Sequence, residues 1–290
     1  MTPPSISPGK AALAGILGKT PWTRLVTRLE ARIPVLRVFN HHGTPPRLRD
    51  ELARQFDYLL ERFGGVSGDA LEGLLQRGPR DRSTALFTFD DGLANHLEVA
   101  APLLEERGLR GIFCVPTEFP SVAAAHQPRW FLERVRPARN AEHLEDRDLL
   151  ALSWDGVREL SQRGHAIYCH TSSHVRIGPE LPPESLRREI VDSRAELADR
   201  LGQGAVDGFC WPMGFDGRAQ EAEALVRAHY RWAFVDGARP VRAGQNPHRI
   251  QRTNLEASWP QEIVELELSG VTDIKSAVRG VWRRAGEVWR

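Results

Sequence analysis

A barrel of parallel β/α units is the fold that this sequence predicts, and three observations predict it. Short apolar runs alternate with stretches of helical periodicity along most of the chain, the pattern of a parallel sheet covered by helices. About six such units in roughly 250 residues suit a barrel better than an open sheet. The residues able to do chemistry collect at the C-terminal ends of the apolar runs, where sites form in parallel sheets of either kind.

The elements follow in order. IPVLRVF reads as a first strand and DELARQFDYLLERFG as the helix behind it. ALFTF is a buried strand, LEVAAPLLEERG a helix closed by Gly108, and GIFCVP a strand stopped by Pro116. WDGVRELSQRG then gives a helix, HAIYCH a strand, and PESLRREIVDSRAELADRLG one long helix ending near Gly202. DGFCWP is a strand, RAQEAEALVRAHY a helix and WAFVD a further strand. At the ends of the chain, Trp22, Leu25, Val26, Leu29 and Ile33 recur at helical spacing, as do Val278, Val281, Trp282, Val288 and Trp289. Arginines occupy the other faces of both stretches. Residues 1–30 therefore read as an N-terminal helical extension and 31–290 as the main domain. The terminal helices are expected to pack on the core; as basic amphipathic helices they would also suit the surface of an anionic inner membrane.

Composition narrows the classes. With 41% hydrophobic and 27% charged residues the chain is an ordinary globular protein, long enough for one large core. A net charge of +1 gives no global field that would favour nucleic acid. The three cysteines, Cys114, Cys169 and Cys210, are far apart and lack CxxC spacing. They read as free thiols, which points to a reducing, cytoplasmic setting. No apolar run reaches bilayer-spanning length. The patch Ala11–Leu17 is short for a secretory core and lacks a clean cleavage site, so an uncleaved cytoplasmic protein is expected.

The stretch ALFTFDDGLANH places Asp90 and Asp91 side by side where a buried strand emerges. Adjacent carboxylates raise each other's ionisation cost unless a cation sits with them. CHTSSH supplies His170 and His174 at the end of another strand. Two imidazoles and one carboxylate form a three-ligand site with open positions, the arrangement of a hydrolytic metal that keeps a water. One aspartate can then bind the ion while the other takes a proton. DDG alone is equally a surface turn, and a lone HxxxH is often incidental. Their joint placement at strand ends favours the site.

TFDDG followed downstream by HTSSH resembles the polysaccharide deacetylase family, carbohydrate esterase family four. The resemblance runs from about Ile33 to Trp259 and includes APLLEERGLRGIFCVPTEF, EIVDSRAEL and GFCWPMG. It implies a distorted, incomplete (β/α) barrel, with Asp90 as general base and Asp91, His170 and His174 as ligands of a divalent ion. Zinc is the first choice, with cobalt, nickel and manganese as alternatives. The implied reaction is hydrolysis of an N-acetyl group on a sugar, a glycan or a lipid-linked sugar, with the backbone N–H of Met213 as oxyanion donor and Trp211–Pro212 shaping the substrate site.

Three departures from the family pattern matter. Cys210 stands where many members have arginine before the aromatic-Pro pair. An aromatic-Pro-x-Gly branch also lacks that arginine, and there an arginine on a later strand holds the catalytic aspartate; Arg252 resembles it. Met213 stands where that branch has tyrosine. No Leu-x-His motif supplies the general acid: His248 lies in the right region at the wrong spacing. His41 and His42 follow the first strand, and His41, the better match to the branch's Tyr-His, is expected to line the catalytic site; which group gives the leaving amine its proton stays open. Two other functions stay open on the sequence: a deacylase of non-sugar amides, and a metal- or carbohydrate-binding protein without catalysis. Trp130, Trp154 and Trp211 would stack on sugar faces and sit equally well in a core.

Overall fold

The computed structural model describes residues 34–135, 145–202, 206–215 and 219–269. The terminal amphipathic stretches and the 1–30 extension lie outside these residues. Among the described residues, no helix is long and apolar enough to cross a membrane.

Among the described residues there are eight parallel strands: β1 (Leu36–His41), β2 (Gly64–Gly65), β3 (Thr84–Phe89), β4 (Ile112–Val115), β5 (Ala166–Cys169), β6 (Gly208–Cys210), β7 (Trp232–Asp236) and β8 (Ile250–Asn254). Seven of them close into a ring in the order β1-β8-β7-β6-β5-β4-β3, with β3 pairing back onto β1 and β2 attached outside the ring to β3. The β1–β3 seam is the longest, from Leu36 against Thr84 to His41 against Phe89. The β5–β6 seam is a single pair, Cys169 with Phe209. The architecture is the expected distorted barrel, with seven strands in the ring among the described residues where a regular barrel has eight.

Helices cover the outside: α1 (Arg49–Arg62), α2 (Leu71–Arg77), α3 (Ala101–Glu105), α4 (Gln127–Arg134), α5 (Trp154–Gln162), α6 (Pro183–Arg187), α7 (Ser193–Leu201), α8 (Gln220–His229) and α9 (Gln261–Leu268). In α1, Leu52, Phe56 and Leu59 form the stripe that reaches the sheet. Helix α5 begins where the Ser153 side chain accepts the Gly156 N–H. The expected single helix 183–202 is interrupted: a π turn, Arg188–Asp192, separates α6 from α7. Strand β8 and the helices α2, α4 and α9 were not legible as periodicity. In β8 only Ile250 is apolar on the inward side, so IQRTN does not alternate like a half-buried strand.

Side chains alternate across every strand. Leu36, Val38, Leu86, Ile112, Cys114, Tyr168, Cys210, Phe234 and Ile250 fill the barrel interior. Phe39, Phe87, Phe89, Phe113, Val115, Ile167 and Phe209 form the layer between strands and helices. Gly208 points inward, and a Cβ there would collide with the Tyr168 ring, so glycine makes the room that the phenol occupies.

The expectation of three free thiols is corrected. Cys114 of β4 and Cys210 of β6 both point inward and form a disulfide, and Cys169, turned to the outer layer, is the free, buried cysteine. The reading of a reducing compartment rested on unpaired thiols and loses that basis.

Candidate active site

At the C-terminal mouth of the ring the inward series changes character. Continuing the apolar interior positions upward, Asn40, Thr88, Asp90, His170, Asp236, Arg252 and Asn254 take the next inward places, by the same period of two. They open into a cleft of about 460 Å³ whose lining includes His42, Asp90, Asp91, His170, His174 and Trp211.

Asp91, His170 and His174 converge, all buried, with one ligand atom from each within 4.8 Å of the others. Asp91 Oδ1 lies 3.3 Å from His174 Nε2 and 3.6 Å from His170 Nε2. Each ring is oriented by a carbonyl behind it: His170 Nδ1 donates to Cys210 O at 2.8 Å and His174 Nδ1 to Arg134 O at 3.1 Å. With the proton fixed at Nδ1, both Nε2 lone pairs face the same carboxylate. Three acceptors aimed at one point suit a divalent cation, and the backing carbonyls are the partners that metal-bound histidines use. Asp91 and His174 adopt left-handed backbone, φ 76° and 55°, and both line the cleft.

Asp90 does not join that group. Arg252, 1% exposed, grips it with Nη1 on Oδ1 at 2.6 Å and Nη2 on Oδ2 at 2.7 Å, a bidentate, charge-assisted pair. Asn40 Nδ2 adds a third donor to Oδ2 at 3.0 Å. The Asn40 carbonyl oxygen accepts from Thr88 Oγ1 at 2.8 Å and from Arg252 Nη1 at 3.1 Å, which fixes which end of the amide faces Asp90. Burial works to raise the Asp90 pKa and Arg252 outweighs it, so the carboxylate stays ionised.

His41 does not line the cleft, and that expectation is corrected. It follows the inward Asn40 and must point outward. There it is fully buried, hydrogen-bonded through Nε2 to Gln55 at 2.6 Å, and enclosed by Phe56, Phe87 and Phe89. Burial depresses its pKa to about 4. His42 takes the cleft position, with Nδ1 3.8 Å from Glu256 Oε1. Burial lowers its pKa, but Asp91, Glu256, Asp90 and Asp236 together raise it above the ordinary value.

The remaining expected residues divide. Trp211 lines the cleft, stacks on Phe215 at 4.2 Å, and carries a buried Nε1 without a partner among the described residues. Pro212 is buried and is not part of the lining, a second correction: it sits inside the turn between the two residues that are. Met213 is 45% exposed at the rim, in left-handed backbone at φ 55°. His248 hydrogen-bonds to Tyr230 O, and Trp130 stacks on Phe119, both away from the cleft.

The polysaccharide deacetylase family model matches residues 77–231, more than half of the chain. The chain belongs to the polysaccharide deacetylase family. No curated protein sequence matches it. Among solved structures it is similar to IcaB from Ammonifex degensii, at 21% identity and a TM-score of 0.59, covering 81% of this chain and 97% of that one. It is likewise similar to the Streptococcus pyogenes deacetylase PplD in complex with acetate, at 15% identity and a TM-score of 0.60, over 81% of this chain and 97% of that one. The deacetylase domain of BpsB from Bordetella bronchiseptica, at 15% identity and a TM-score of 0.58, covers 77% of this chain and 96% of that domain. At these identities the structural matches speak for the barrel, and family membership speaks for removal of N-acetyl groups from sugars.

Proposed function

We propose that the chain is a metal-dependent N-deacetylase of a sugar or glycan, with Asp91, His170 and His174 holding the ion and Asp90 acting as general base. The observation that carries this reading is the separation of roles between two adjacent aspartates. Asp91 faces two imidazole nitrogens, while Asp90 is locked to Arg252 beside it. When bound, a divalent cation supplies Lewis acidity at the acetyl carbonyl and lowers the pKa of the attacking water.

The residues of the chain do the rest. Asp90, ionised and pinned by three hydrogen bonds, removes a proton from water as the oxygen attacks the acetyl carbon. The Met213 N–H at the cleft rim faces the developing oxyanion. His42 gives the leaving amine its proton. It lines the cleft, and its neighbouring carboxylates keep it protonated to higher pH than an ordinary histidine. The amide C–N bond breaks, acetate takes the hydroxyl, and the amine keeps the proton. Trp211 offers an aromatic edge to the sugar at the cleft wall.

Acetate release from N-acetylglucosamine and its oligomers, with the protein loaded with Zn²⁺ or Co²⁺, tests the reading. The expected result is release that requires metal and is lost in Asp90→Asn and His170→Ala. Metal binding without acetate from any N-acetylated sugar would sink it and turn attention to non-sugar amides.

A further inference from the structure

We infer that Glu189 is a positioning residue for the metal-ligating loop, its buried carboxylate setting the backbone shape that aims His174 at Asp91. The inference rests on the reading of Asp91, His170 and His174 as a metal set. It concerns a residue that lies outside the cleft and that the proposed chemistry leaves without a role.

Glu189 is fully buried, in the π turn between α6 and α7. A buried carboxylate is costly unless donors are directed at it. Its ion pair is with Arg188, whose side chain is 64% exposed. The remaining donors come from the loop after β5. Oε2 accepts the N–H of Ser172 at 3.0 Å and of Ser173 at 2.9 Å, and Oε1 accepts the Ser173 hydroxyl at 2.9 Å.

That loop needs such a partner. Thr171 and His174 bracket it in left-handed backbone, at φ 65° and 55°, a region that side chains disfavour and that β-branched threonine disfavours most. Left-handed Thr171 turns the two following N–H groups to one side, a concavity of the kind that binds anions. Glu189 is the anion built into it. The carbonyl side of the loop is fastened separately, with Thr171 O and Ser172 O accepting from the N–H groups of Thr117 at 3.1 Å and Glu118 at 2.9 Å. Without the carboxylate the Ser172 and Ser173 N–H groups lose their acceptor, and the loop is free to relax toward ordinary backbone angles. His174 would carry its Nε2 away from Asp91.

The π turn explains how a helical residue reaches this place. An extra residue in the turn rotates Glu189 inward, and the carbonyls it disturbs are taken up by side chains: Ser193 Oγ donates to Glu189 O at 2.7 Å and Tyr230 OH to Ile190 O at 2.6 Å. Single π turns inside helices concentrate at functional sites.

The test reads metal affinity directly, by competition of the intact protein with a chromogenic chelator for Zn²⁺ and Co²⁺. Variants Glu189→Gln and Ser173→Ala are compared with Leu197→Ala, a core cavity in α7 that controls for lost stability. Glu189→Gln should weaken metal affinity by about tenfold to a hundredfold, as loss of a residue supporting a ligand does. Ser173→Ala should weaken it by a smaller factor, and Leu197→Ala should leave it unchanged. Saturating metal should return much of the turnover of Glu189→Gln. An affinity within about twofold of wild type in Glu189→Gln, or one reduced no more than in Leu197→Ala, overturns the inference. If Glu189→Gln does not fold, Ser173→Ala decides by the same criterion. A wild-type protein that binds metal but releases no acetate sinks the deacetylase reading and leaves this one standing; failure to bind any divalent ion sinks this one.

Discussion

His41 and His42 are chain neighbours in different media. One ring is sealed among Phe56, Phe87 and Phe89 in the layer between strands and helices; the other opens onto a cleft shared with Glu256, Asp90, Asp91 and Asp236. Strands β3 and β5 repeat this division most plainly. Their outward residues, Phe87, Phe89, Ile167 and Cys169, are packed in the layer below the helices, while the inward series turns polar at the mouth, there and on β1, β7 and β8, through Asn40, Asp90, His170, Asp236 and Arg252. Folding free energy is thus concentrated on one face and chemistry on the other, and a step of one residue moves a side chain from one to the other. Substitutions at the inward mouth should change turnover; substitutions outward should change stability.

The largest expected effect is on the inward side. Asp90→Asn should lower kcat by about 10²- to 10⁴-fold, the range of a lost general base, while metal content stays that of wild type because Asp91 is the ligand. Metal lost together with activity would show that the two aspartates do not have separate roles. Next, His42→Gln should lower kcat by roughly a hundredfold with little change in Tm, since the ring is part-exposed. An equal loss of kcat in His41→Leu would break the division between the faces.

Acid sensitivity is the third test. His41 and His96 are both held neutral by burial, with pKa values of about 4. Unfolded histidine titrates near 6.5, so between these values the unfolded chain binds more protons and stability rises with pH. Unfolding free energy should therefore fall as pH is lowered from about 6.5 toward 4, by at most roughly 2 kcal/mol per ring at pH 5. Flat stability over that window would place both rings in water. The smallest effect belongs to His41→Leu near neutral pH, a loss of about 1 kcal/mol from the broken Gln55 hydrogen bond, together with a shallower acid limb and nearly unchanged kcat/KM.

Much of this division was legible in the sequence. The alternation of strands and helices, the strand before DDG and the strand before HTSSH needed no more than periodicity, because their apolar runs are unbroken. The face assignment of His41 and His42 was also available. If Asp90 faces inward, then Thr88 and Leu86 do, and a strand LRVFNH that starts inward at Leu36 must present Asn40 and His42 there and turn His41 out. Arg252 needed the resemblance, since β8, IQRTN, is polar on both faces after Ile250 and shows no strand alternation. Glu189 could not be found from spacing at all. In a regular helix it would be one more acidic surface residue, and the π turn that buries it leaves no mark in the pattern. The Cys114–Cys210 pair was missed for a related reason: its partners lie on strands flanking a third, a proximity that belongs to the barrel's curvature.

That disulfide joins cysteines 96 positions apart and closes a loop that contains both histidines of the metal set. The covalent graph of the protein is therefore not a line but a line with a ring in it, and the ring carries the site. A single proteolytic cut anywhere between residues 114 and 210 would leave one molecule of unchanged mass save for a water. Only a cut followed by reductant would release two pieces.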